Sequence, residues 1–309
     1  SGWQPAGWTP PAAKANDAMV TQRHVHVKKV WGIPQFWLLW MVLCMNVSAG
    51  IGVIGMASPM LQEVFGGQLI GQPLHFSELD ATQLAAIAGV AAGFTALLSL
   101  FNIGGRFFWA SLSDLLGRKS TYAVFFVLGA ALYASIPASA GAGRQLLFVA
   151  AFCIIVSMYG GGFAAVPAYL ADLFGTQMVG AIHGRLLTAW ATAGILGPVI
   201  VNYMREYQIG LGLPREQVYN QTMYILVGML AIGFVCNLLV RPVADKWFMT
   251  PDQLAEEKRL AHDRAMTPDD AAAVLAAPRS NPAWMVLAWA AVSLPLAWGV
   301  FRTVTSARQ

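Results

Sequence analysis

Seven times along this chain an apolar stretch approaches or exceeds the ~20 residues that a helix needs to cross a bilayer. The stretches run roughly Phe36–Met60, Gln83–Trp109, Thr121–Ala140, Gln145–Tyr169, Val179–Met204, Thr222–Val240 and Ala283–Phe301. None alternates polar and apolar residues as a half-buried strand would. Hydrocarbon offers no partner to a backbone N–H or C=O, so runs of this length close their hydrogen bonds internally, as helices. The prediction is an all-α polytopic membrane protein with about seven transmembrane helices. Charge supports it: 11% of residues are charged, against about 25% in a soluble domain. Too few charges remain to cover a water-facing surface, and the lipid bilayer is the expected surrounding.

The basic residues set the orientation. The polar, Pro-rich leader Ser1–Pro34 carries Lys14, Arg23, Lys28 and Lys29. The connection Leu61–Thr82 has no basic residue but holds Glu63, Glu78 and Asp80. Arg118 and Lys119 follow the second span, Asp172 stands after the fourth, and Arg205 and Arg215 fall in the connection after the fifth. The segment Arg241–Pro282 holds Arg241, Lys246, Lys258, Arg259, Arg264 and Arg279. Lys and Arg stay on the cytoplasmic side, so the leader, the Arg118 connection and the long segment are expected there, in a multi-pass protein of the cell inner (plasma) membrane. The leader reads as part of a longer cytoplasmic loop, and further sequence is expected ahead of it.

A net charge of +4 collected at helix ends orients a membrane protein and does not point to a nucleic-acid partner. Cys44, Cys153 and Cys236 each lie inside an apolar run and read as small buried hydrophobes. No HExxH, nucleophile elbow, phosphate loop or cluster of acidic or histidine ligands occurs within the spans. No metal, no cofactor and no enzymatic activity are expected.

Between the second and third spans lies Gly104–Tyr122, GGRFFWASLSDLLGRKSTY. Gly117 permits a sharp turn because glycine tolerates positive φ. The spacing Ala110-x-x-Ser113-Asp114-x-x-Gly117-Arg118-Lys119 resembles the loop signature of the major facilitator superfamily, which occurs once in each six-helix half of those transporters. Its usual first residue is Gly, and Ala110 departs from that. YGGGFAAVPAYLADLFG (Tyr159–Gly175), VGAIHGRLLTAWATAGILGPVIVNY (Val179–Tyr203) and the leader's GWQPAGWTPP are similar to the C-terminal half of the oxalate:formate antiporter branch. The resemblance covers roughly Ser1 to Met249.

The resemblance implies the C-terminal half of a major facilitator fold. Residues 1–35 would be a cytoplasmic central-loop segment and residues 36–241 a six-helix transporter half. Residues 242–282 would be a cytoplasmic connector and residues 283–302 an additional transmembrane helix. The charged run DQLAEEKRLAHDRAM within the connector reads as a short solvated helix. The other six-helix half, in the same polypeptide or a partner chain, is the expected partner. The implied function is secondary transport of small organic anions by alternating access. A proton-coupled carrier of another small solute and a non-transporting membrane assembly subunit are the alternatives.

Arg106 is the first candidate for binding the anion. It precedes Asp114 by two helical turns, about 12 Å into the membrane, where a charge normally faces a bundle interior or a watery cavity. Its planar fork suits a carboxylate. In carriers of this branch an arginine in the matching helix contacts the substrate. The branch also has a lysine midway along the fifth helix, where alignment on Thr188 and Ala189 puts Trp190. One positive charge fewer points to a monocarboxylate such as formate, pyruvate or lactate. Tyr159, Phe163 and Trp190 are expected to wall the anion, with Asn46 a further polar candidate. Gating is assigned to Asp114, Gly117, Arg118, Lys119, Asp172, His183 and Arg185. Asp114 could cap the fifth helix in one conformation, and Gly161 and Pro167 would make the fourth helix bendable.

Overall fold

The computed structural model describes residues 19–266 and isolated positions between 286 and 298. The expected seventh span falls outside the described residues except at those positions. Six described helices are long and apolar enough to cross a membrane. They are α1 (Pro34–Phe65), α2 (Ala81–Leu116), α3 (Arg118–Gly141), α4 (Gln145–Phe174), α5 (Val179–Gly210) and α6 (Asn220–Leu239). Among the described residues the extended structure is a single bridge, Val25 to Phe248.

Local chemistry fixes the helix ends. Pro34 opens α1, where its missing N–H costs nothing. Asp80 caps α2: its Oδ1 accepts from Gln83 N–H at 2.8 Å, and Gln83 Oε1 accepts from Asp80 N–H at 2.9 Å. One residue separates α2 from α3, Gly117 at φ 82° and ψ 148°, a conformation reserved for glycine.

The helices run further than the apolar pattern. Glu63 and Arg205, assigned above to connections, lie inside α1 and α5. The physical reason is that they bind each other, so neither charge ends its helix. Asp172 likewise falls in the last turn of α4.

In the bundle α2 packs along α4, α1 along α5 and α3 along α6, with α1 also against α6 and α4. Two seams need glycine. A Cβ on Gly105 would overlap the backbone of Ser157, and one on Gly160 that of Asn102, which brings α2 and α4 into backbone contact. A Cβ on Gly197 would overlap Ser48 O in the same way between α5 and α1. Burial is uneven: 67% of the apolar window of α1 is buried, but 22% of that of α2 and 28% of that of α5. Leu100, Ile103, Phe107 and Phe108 of α2, and Ile195, Val199, Tyr203 and Tyr207 of α5, are exposed.

The chain divides into one compact unit through Met249 and a second from Thr250. The residues just after α6 belong to the first because the leader grips them. Met249 N–H donates to His24 O at 2.8 Å beside the Val25–Phe248 bridge, and Val25 N–H donates to Phe174 O at 2.8 Å. In the second unit the charged run forms α7 (Pro251–Met266). Thr250 and Gln253 exchange capping hydrogen bonds at 3.2 and 3.3 Å at its start, and Glu256 accepts from Arg259 at 2.8 and 3.0 Å.

Candidate functional site

Arg106 sits on the open face of α2, exposed, with its side chain held from two directions. Its Nε donates to Asn102 Oδ1, one turn back, at 3.3 Å. Its guanidinium lies 5.5 Å from the centre of the Phe163 ring on α4, within cation–π reach. Phe163 meets Trp190 of α5 at 5.9 Å between ring centres, tilted by 58°. Behind Trp190, Trp40 of α1 donates its indole N–H to Thr188 Oγ1 at 2.9 Å. Three helices thus converge on one cation and two aromatic rings. Because Asn102 occupies Nε, the Nη edge of the guanidinium is the part left to bind an anion in two-pronged geometry.

Two of the predicted wall residues lie elsewhere. Asn46 is buried against α4, its Oδ1 next to Gly162 and without a hydrogen-bond partner. It lines an interior gap of about 20 Å³ with Tyr159, Tyr133 and Phe125, room for about one water. Tyr159 packs on Gly50. The structure therefore brings together Arg106, Phe163 and Trp190, and places Asn46 and Tyr159 in a separate interior gap. Gly161 leaves room for Trp109 of α2, which a Cβ there would overlap, and α4 continues as one helix through Pro167.

The expected gating residues gather at the end of the bundle where α2 meets α3. Arg118 pairs with Asp114 and hydrogen-bonds Ser113 Oγ, and its Nε stands 3.8 Å from Asp172 Oδ2 on α4. Lys119 Nζ donates to Leu238 O at 2.9 Å and Val240 O at 2.7 Å, satisfying carbonyls at the end of α6. Asn237 Nδ2 donates to Lys119 O at 2.9 Å, and the Tyr169 hydroxyl donates to Asn237 Oδ1 at 3.3 Å. Asp114 is exposed and engaged by Arg118, while Met178, at the N-cap of α5, makes no side-chain capping hydrogen bond. Nearby on α5, Arg185 Nη1 donates to Ala181 O at 3.1 Å, and His183 Nε2 is buried without a partner.

The opposite end holds a cluster that the sequence reading left as loop charges. Glu63 is 4% exposed. It pairs with Arg205, whose Nε lies 3.0 Å from Oε2, and accepts from the Tyr219 hydroxyl at 2.6 Å and from Arg215 Nη1 at 3.4 Å. Beside it, His75 Nδ1 meets Glu216 Oε1 at 2.8 Å. That carboxylate, and after it Glu78, raises the His75 pKa above the ordinary value. One signal pointed here: Glu63 is the single acidic residue between Gln35 and Ser77, and it follows a long, mostly apolar stretch.

Among the described residues the fold is a bundle of six helices of membrane-spanning length. The sequence matches the Major Facilitator Superfamily over residues 4–198 and again over residues 93–307. The chain therefore belongs to that superfamily, a family of membrane transporters and not of enzymes. It is also 30% identical over 179 residues to an oxalate:formate antiporter of Oxalobacter formigenes. The match takes in 58% of this chain and spans 38% of that relative's length.

Proposed function

We propose that this chain forms one six-helix side of a secondary transporter for small monocarboxylates. A second six-helix bundle, in the same polypeptide or a partner chain, covers the exposed faces of α2 and α5 and completes the cavity. The end carrying Asp114 and Arg118 faces the cytoplasm of a cell inner membrane, and the two sides rock about Arg106. The similarity to an oxalate:formate antiporter supports an anion as cargo.

One observation carries the substrate class. The Arg106 guanidinium lies 5.5 Å from the centre of the Phe163 ring, and Trp190 meets that ring at a tilt, 5.9 Å between centres. A single guanidinium among aromatic rings balances one carboxylate. A dianion would leave its second charge against Trp190, where desolvation is costly. The test is counterflow of labelled formate, pyruvate, lactate and oxalate in proteoliposomes. It uses the full-length transporter that contains this sequence, with and without Arg106→Gln. Exchange of a monocarboxylate but not oxalate, lost in a folded Arg106→Gln variant, supports the proposal. Oxalate exchange, or an unimpaired variant, refutes it.

A further inference from the structure

Asn102 does more than hold Arg106. Together with Thr95, Ser99 and Ile103 of α2, Ile54 of α1 and Val156 of α4, it lines a cavity of about 220 Å³. That is below the roughly 300–1,000 Å³ of pockets for drug-sized ligands, and suits a solute of a few heavy atoms. Thr95, Ser99, Asn102 and Arg106 follow one another at steps of four, three and four residues, so they share one face of α2. Helical side chains lean toward the N-terminus, which brings the Arg106 guanidinium back to Asn102 and toward this cavity.

The polar groups differ in what they offer. The Thr95 hydroxyl donates to Ala91 O at 3.0 Å and the Ser99 hydroxyl to Thr95 O at 3.1 Å. Their protons are committed, so toward the cavity both present oxygen lone pairs. Asn102 is the reverse. Its Oδ1 is taken by Arg106 Nε, and among the described residues its Nδ2 makes no hydrogen bond, leaving two donors. Moving away from Arg106, the cavity therefore offers a cation, then a donor, then acceptors.

We infer that this cavity takes the hydroxyl-bearing end of a small hydroxymonocarboxylate, whose carboxylate lies on Arg106. The inference rests on the carboxylate role proposed for Arg106 and narrows it. A hydroxyl next to a carboxylate accepts from Asn102 Nδ2 and donates its own proton toward Ser99 Oγ. A ketone accepts from Asn102 but has no proton for Ser99. An unsubstituted chain, or formate, leaves the Asn102 amide unpaired in a partly dry site, which costs affinity.

The experiment measures competition by lactate, pyruvate and propionate against a labelled monocarboxylate. It uses the full-length transporter in proteoliposomes, in wild type, Ser99→Ala, Asn102→Ala and Arg106→Gln. The expected result is that lactate outcompetes propionate about three- to tenfold, the range of one hydrogen bond, with pyruvate between. Ser99→Ala and Asn102→Ala bring that ratio toward one. Loosening Arg106 alone weakens all three acids equally and leaves the ratio unchanged, so the ratio separates recognition of the hydroxyl from positioning of the arginine. Ser99→Ala removes only a surface hydroxyl and guards against misfolding of the Asn102 variant. Equal competition by lactate and propionate in wild type, or a ratio that survives both substitutions, overturns the inference while the carboxylate role of Arg106 stands. Undiminished competition by all three acids in Arg106→Gln removes that role, and the inference falls with it.

Discussion

The two ends of the bundle are both stitched by arginine and carboxylate, yet in opposite ways. At the Asp114 end, Arg118 reaches two acids, and the Asp114 side chain is 65% exposed. At the other end Glu63 is buried, and Arg205, Arg215 and Tyr219 all converge on it. The first arrangement joins α2, α3 and α4 by contacts that water can replace at little cost. The second joins α1, α5 and the start of α6 through a charge that cannot be left alone. A carrier that must open and close at each end needs rigid sides and exchangeable gates. The Glu63 cluster ties α1 to α5 through a buried carboxylate, and the proposed gate at Arg118 holds Asp114 by an exposed one.

The comparison is broken most directly at its stronger side. Glu63→Ala leaves Arg205 partly buried without its main acceptor, and removing one member of such a pair costs about 3–5 kcal/mol. Thermal unfolding in detergent should show this as the largest loss in the set, with Glu63→Gln intermediate because it keeps the hydrogen bond from Tyr219. A Glu63→Ala protein as stable as wild type would mean that the cluster is not what binds α1 to α5. Next comes Gly117→Ala at the exposed end. Its φ of 82° with ψ of 148° admits glycine alone, and an alanine there costs about 1–3 kcal/mol. The loss comes from the backbone and not from a charge, so it should be insensitive to salt.

The Gly117 turn was legible in the sequence, and the Glu63 cluster was not, for a physical reason. The turn is local: a glycine between a basic pair and an apolar run carries its own explanation, as do the six long helices. The cluster is made by residues far apart in the chain, and each of its charges read alone marks the end of a span. Only their pairing lets α1 run to Phe65 and α5 to Gly210. Arg106, Phe163 and Trp190 are each conspicuous on their own helix, and their side chains do lie together; that they bind an anion is the proposal. Asn102 was passed over because an amide inside an apolar run is inconspicuous until its partner is seen one turn away. Asn46 drew attention for the same polarity but faces α4 across an interior gap, a direction that residue type does not reveal.

Asp114→Asn tests the weaker side. The Asp114 carboxylate is 65% exposed and the amide in its place would still accept from Arg118, and pairs open to water contribute about 0–1 kcal/mol, so unfolding should barely change. If Asp114 and Arg118 form a gate, exchange in proteoliposomes should slow by far more than that small loss of stability implies. Slowing in proportion to lost stability would instead make the pair a structural tie like Glu63, and the contrast between the ends would disappear.

The smallest effect is expected from His75 and Glu216, which tie the connection after α1 to the one before α6 and line a cavity of about 490 Å³. Glu216 faces the imidazole, Glu78 accepts from the His75 backbone N–H at 2.8 Å, and Arg215 is adjacent but turned to Glu63. The folded-state pKa of His75 is raised by these acids. A raised histidine stabilises the fold fully below its unfolded value of about 6.5 and loses that contribution as pH climbs through the higher folded value. Hydrogen exchange at residues 74–78 should therefore speed up as pH rises above about 6.5, beyond the intrinsic rise in exchange rate, and His75→Ala should remove the excess. The Glu63 end of the bundle would then hold two kinds of tie: a buried one at Glu63, and an exposed one at His75 that loosens as pH rises. If protection at 74–78 is unchanged by pH and by the substitution, the His75 contact contributes nothing to closing that end, and Glu63 carries it alone.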